Sequence, residues 1–230
     1  MSPQTMDEPA HPAGRHSRLL QTTVLLLTLI ALAAVIHRGV ALFTPPRPDG
    51  LGAEFDQVLL SNREATLIHI SLGLLYLLLA PFQFSSGLRL RRPGLHRTMG
   101  RVTLVIGLAT GASALLMAYH TTIGGVNETA AILLFDLLFV ASLAMGWREI
   151  RRGAVAAHRE WMIRAFAIGL VVGTIRPIVA LFFIASRFNG LQPHEFFGTA
   201  FWIGFALHLI AAQLWIDWSR PRAQPPVLPA

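Results

Sequence analysis

Two histidines, His96 and His158, each follow a basic loop, RRPGLHR (91–97) and RRGAVAAHR (151–159), and each leads into a long apolar run. The agreement continues past the histidines. Gly107-Leu108 and Gly111 follow His96 at the same offsets at which Gly169-Leu170 and Gly173 follow His158, and a methionine recurs one turn on, at Met99 and Met162. At about 100° per residue those offsets rotate by only roughly 20° and 60° net, so each His-Gly-Gly set shares one helix face. Both runs cross in the same direction, and a repeat axis along the membrane normal would turn the two faces toward each other. Neutral imidazole is an iron and zinc ligand. Two facing imidazoles could hold a b-type haem iron on both axial sides. Gly107, Gly111, Gly169 and Gly173 would leave room for the porphyrin, and Arg97 and Arg159 could pair with its propionates. The same glycines have a simpler use, because small residues let helices touch in lipid.

A second polar set lies deeper. Asp136, Arg176 and His208 sit in three different apolar runs, and His69 sits in a fourth. Counted inward from the far ends at about 1.5 Å per residue, the first three fall at similar depths, roughly 12–15 Å. A charged side chain in a membrane helix faces the protein interior and finds a partner. Asp136 with Arg176 is the expected pair, either fixing register as a buried ion pair or lining a proton, anion or quinone path. Pro177 removes a backbone donor one turn after Gly173 and is the expected place for a kink. His69 with His208 or His120 is the candidate outer pair for a second haem. His37 and His194 fall at outer ends, and His11 and His16 in the N-terminal tail.

These residues need helices to position them, and the composition supplies them. The 230 residues are 53% hydrophobic and 13% charged, the balance of a membrane protein. Apolar runs near 19–36, 65–84, 102–120, 129–147, 161–185 and 198–218 each approach the roughly 20 residues needed to cross a bilayer. Lipid offers backbone groups no partner, so the expected fold is all-α, a bundle of six transmembrane helices. The formal charge of +7 invites a nucleic-acid reading, but its placement argues otherwise. Nearly all arginines outside the apolar runs fall on one side. Only Arg38, Arg47, Arg63 and Arg187 fall on the other, which sets both termini in the cytoplasm by the positive-inside rule. The basic rim then suits anionic lipid head groups. The chain is expected to divide into a disordered tail (1–17), the six-helix domain (18–218) and a second disordered tail (219–230). The first run is longer than a signal-peptide core and reads as an uncleaved helix. The 38–63 loop is long enough to be functional or locally folded. With no cysteine, disulfides, iron–sulfur clusters and thiolate zinc sites are excluded. No HExxH, GxSxG or P-loop pattern occurs.

Three stretches, HISLGLLYLLLAPFQF (69–84), RRPGLHRTMGRV (91–102) and AHREWMIRAFA (157–167), resemble the hallmark segments of a bacterial membrane family called domain of unknown function 2306. The resemblance covers about residues 65–185 and implies a small polytopic membrane protein. Its motif positions are His69, His96, Arg97, Gly100, Arg101, His158, Trp161, Met162, Arg164 and Arg176. More loosely, the chain is similar to two-haem cytochrome b561-like electron carriers, with Asp136 on span 4 where such carriers place a histidine.

The leading expectation is an inner-membrane electron carrier with one b-type haem between His96 and His158, exchanging electrons with a quinone or a redox partner. The alternative is a cofactor-free transporter or proton-coupled protein working through Asp136, Arg176 and His208. A scaffold that only binds lipid is the third.

Overall fold

A computed structural model of the chain describes residues 13–44 and 53–220. Most of both expected tails, and residues 45–52 of the first loop, lie outside the described residues. These form nine helices and no strand: α1 Ala13–Ala41, α2 Ala53–Ser61, α3 Arg63–Gln83, α4 Ser86–Arg91, α5 Pro93–His120, α6 Gly125–Arg151, α7 Val155–Gly169, α8 Val172–Asn189 and α9 Pro193–Ser219. Six stretches are long and apolar enough to span a membrane: α1, α3, α5, α6, the α7–α8 pair and α9. The fold is therefore an all-helical, six-span membrane bundle. We call the arginine-rich side inner and the opposite side outer. α1 begins at Ala13, so helix already covers part of the stretch expected to be tail.

Local chemistry sets the ends of these helices. Pro93 and Pro193 occupy the first turns of α5 and α9, where no backbone donor is missed. Gln192 and Glu195 form a reciprocal cap on α9. Gly190 takes a left-handed conformation and ends α8. Large apolar side chains on the outward faces, such as Leu25, Leu26, Val105 and Leu214, are exposed, as a lipid-facing surface requires. Trp147, Trp215 and Trp218 stand near the inner ends of α6 and α9, the level at which aromatic belts anchor.

The spans close a ring, α1 to α3 to α5 to α6 to α9 to α8 and back to α1. The fifth span does not cross as one rod. It breaks at Leu170-Val171 into α7 and α8, and the halves have different neighbours. α7 packs on α6, α9 and α3, whereas α8 packs on α1 and α9. The inner half thus plugs the ring, while the outer half swings out into its wall.

Pro177 was the expected kink, but the break lies one to two turns earlier. At the break Val171 N bonds Ile168 O instead of Ala167 O. The released Ala167 carbonyl accepts from His208 Nδ1 at 2.7 Å, and Thr174 Oγ1 donates to His208 Nε2 at 2.7 Å. A carbonyl can only accept, so Nδ1 carries the proton and Nε2 receives the threonine hydroxyl. His208, from α9, staples the two half-helices. The flanking glycines, Gly169 and Gly173, make the departure from helix less costly.

Candidate functional site

The outward swing of α8 leaves a chamber of about 280 Å³ in the outer half of the bundle. Ile168 and Gly169, at the end of α7, line it together with Ile175 and Val179 of α8. Phe139, Phe197, Phe201 and Phe205 make much of the wall apolar. Into this wall the fold brings His69 from α3, Asp136 from α6 and Arg176 from α8.

His69 Nδ1 lies 3.0 Å from Ser113 Oγ, and that hydroxyl donates to Thr110 O at 2.7 Å. The imidazole is thus held on α5 at Ser113, beside the Thr110 carbonyl. Asp136 sits against Gly111, where an added Cβ would come within 3.3 Å of Oδ1. Its Oδ2 is buried with no hydrogen-bond partner. Among the described residues Asp136 forms no ion pair, so the expected bridge to Arg176 is not made. Arg176 is not free; it has a partner of its own. A buried carboxylate oxygen without a donor is rare and costly in a native interior.

His208 does not join this layer. It stands at the α7–α8 break as described above, and a structural bond occupies each ring nitrogen. His120 ends α5 at the outer surface, exposed and edge-on to Tyr119, away from the chamber. No outer histidine pair forms with His69.

The sequence reading missed several residues of the site. Glu128 Oε2 accepts from Ile123 N at 2.8 Å and Gly124 N at 2.7 Å, pinning the outer turn beside the chamber. Leu59 of α2 and Arg38 of α1 complete the outer rim, and Arg38 pairs with Asp56 of α2. Part of the 38–63 loop is thus folded over the chamber. Gly73, one turn inward from His69, faces open space. Tyr76 closes the inner end. Only Glu128 had a readable signal, an acid in the first turn of an apolar helix.

The inner histidines are placed differently. His96 and His158 lie within electrostatic range of each other, and of Arg89 and Arg97. His158 Nδ1 donates to Gly146 O at 2.8 Å, and His96 Nδ1 is buried with no partner. α5 and α7 stand apart, with α3 and α6 packed against both. At the first glycine of each repeat the faces do converge, but on a side chain. The Tyr76 ring lies between Gly107 and Gly169, one ring edge 3.1 Å from a Cβ at the first and the other 2.6 Å from a Cβ at the second.

At the second glycine the repeat fails, because Gly173 lies beyond the break. Gly111 meets Val140 and Asp136 of α6, while Gly173 meets the α1 backbone, where an added Cβ would run into Leu27 O. The four glycines therefore do not form a slot for a porphyrin plate. Arg159 donates to Ser219 Oγ at 2.9 Å, and Arg97 is exposed. Among the described residues no group of three or more His, Cys, Asp or Glu gathers as a metal site.

No curated protein and no solved structure matches the chain. The model of one family, described as predicted membrane protein (DUF2306), matches residues 66–216, a stretch that contains the chamber histidine, both inner histidines and the broken fifth span. The chain belongs to that membrane-protein family.

Proposed function

We propose that this protein is a cofactor-free, proton-coupled carrier of a small molecule in the bacterial inner membrane, with its arginine-rich rim toward the cytoplasm. The observation that carries the reading is Asp136, whose carboxyl lines a membrane-level chamber and keeps one buried oxygen without a donor. An intramembrane carboxyl in a cavity is a candidate proton site. His69 offers a second proton acceptor in the same wall. The broken fifth span supports the reading further, since discontinuous helices beside a central site are the moving parts of many carriers. Binding at the chamber would bias α8 against α7, and proton exchange at Asp136 would set which side is open.

The chain has no cysteine, so single-cysteine variants give an unambiguous test. Ala114 lines the chamber. Ala114→Cys, exposed to a membrane-impermeant methanethiosulfonate reagent, is expected to react in both right-side-out and everted vesicles. The ratio of the two rates should depend on pH, and Asp136→Asn should remove that dependence. Reaction from one side alone at every pH would mean a binding protein and not a carrier.

A further inference from the structure

A second polar place lies at the bundle surface, on the inner half. A groove of about 370 Å³ runs between α6 and α9 over α7. Leu138 of α6 and Ile210 of α9 form its exposed, lipid-facing lips. Ser142 and Ile168 are buried at its floor, and Ile168 also lines the outer chamber. Into this groove α7 places Arg164, whose side chain is only 22% exposed. A guanidinium carries five N–H donors. Among the described residues that of Arg164 makes one hydrogen bond, to Gln213 Oε1 at 2.9 Å, and it lies 4.9 Å from the centre of the Trp161 ring. Glu160 does not cancel its charge alone. Both Glu160 oxygens accept from Arg220 at 2.8 Å, and Arg164 reaches Oε2 only at 3.9 Å, beyond hydrogen-bond length. Arg159 adds a third positive charge beside Glu160. Asp217, the other acid of this network, pairs with Arg220 and accepts from Gln213. Three guanidiniums thus share two carboxylates.

From this uncancelled charge in an apolar groove we propose that the protein binds a long-chain carboxylate from the bilayer, a fatty-acid anion, with its head on Arg164 and its chain along Leu138, Leu209 and Ile210. A planar guanidinium meets a carboxylate through two parallel charge-assisted bonds, and such bonds strengthen where water is scarce. Depth helps to select the head. Phosphates lie outside the hydrocarbon core, at the level of exposed rim guanidiniums such as Arg152. The Arg164 backbone stands about two turns further in, with its side chain reaching back toward Glu160. A single-chain acid can sink its head to that level, whereas a phosphate anchored by two chains sits above it. A neutral carbonyl head could reach the same depth, but it would leave the guanidinium without a counter-ion.

The probe is palmitate carrying a photoactivatable diazirine in mid-chain, added at alkaline pH to the whole protein in phospholipid nanodiscs. Cross-links are expected on α6 and α9 at the groove, above the background on the lipid-facing side of α1. Unlabelled palmitate should suppress the groove cross-links. Hexadecanol, a lysophospholipid and a quinone should not. Arg164→Gln should weaken binding about tenfold or more, the loss of a charge-assisted bond, and Arg164→Lys should recover part of it. Ile210→Trp keeps the guanidinium and fills the mouth of the groove, so it should also suppress the cross-links. It decides the matter if Arg164→Gln fails to elute as a single species. Hexadecanol suppressing as well as palmitate would overturn the proposal, since the groove would then read only the chain. Stronger suppression by the lysophospholipid or the quinone would overturn it too, by giving the head to a phosphate or a carbonyl. So would groove labelling no higher than that on α1.

Discussion

The inner histidine pair and the outer chamber are built from the same kinds of residue and end up opposite in character. His96 and His158 stand behind matching basic loops, on helices whose first glycines do converge. The space where they converge holds the Tyr76 ring. His69 and Asp136 belong to no repeat, yet they face a cavity, where Asp136 keeps one buried oxygen without a donor. The difference lies in the fifth span. Its inner half keeps the repeat and fills the bundle. Its outer half leaves the repeat at Leu170-Val171 and vacates the bundle. A cavity arises where the internal symmetry is broken, and a packed core where it holds.

The largest effect should come from the glycine that marks this departure. Gly173→Leu would drive a side chain into the α1 backbone at Leu27, and little folded protein is expected on size-exclusion chromatography. Gly173→Ala should still fold, with a loss of about 1–3 kcal/mol from overpacking, read as a lowered melting temperature in detergent. Equal tolerance of leucine at 173 and at chamber-facing Gly73 would undo the contrast between the two regions.

His208→Ala comes next. It strands Ala167 O and Thr174 Oγ1, and leaving buried polar groups unbonded costs about 1–3 kcal/mol. Melting should fall accordingly, and amide exchange around residues 167–174 should quicken. A variant as stable as the parent would mean that the break does not depend on its staple.

A spectroscopic experiment sharpens the comparison from the other side. Protein purified from cells fed a haem precursor is expected to show no Soret or alpha band in reduced-minus-oxidised spectra. Bands lost in both His96→Ala and His158→Ala would move the functional site to the inner rim. Without such bands, both variants should leave labelling of Ala114→Cys unchanged, whereas His69→Ala should alter it.

The smallest effect belongs to Gly73→Ala. Nothing lies within 4 Å of the added methyl group, and alanine is the better helix former by about 1 kcal/mol. Melting should rise slightly or stay level.

Much of this arrangement was legible in the chain. Six spans followed from run length and hydropathy. The repeat was readable as far as Gly107 and Gly169, because helical rotation alone fixes which face they share. Beyond that point, local rules fail. The break depends on His208, distant in sequence, taking a carbonyl that the helix would otherwise use. Pro177 looked like the breaker because its missing donor is a local fact, yet the helix runs through it. Tyr76 sits in HISLGLLYLLLAP, where an aromatic reads as one more apolar residue, so its place between two glycines gave no signal. Depth alone grouped Asp136, Arg176 and His208. Depth does not say which way a side chain points, and His208 points to the break.

Above the chamber, α2 packs on α3 and is tied to α1 through Arg38 and Asp56. The Arg38 side chain is only 13% exposed, so salt in the water outside screens this pair in part. Leu59 of α2 is buried as well, and its carbonyl accepts from Thr66 Oγ1. The cover over the site is therefore sewn to the bundle by apolar packing and by charge together, and raising salinity would loosen only the second of these.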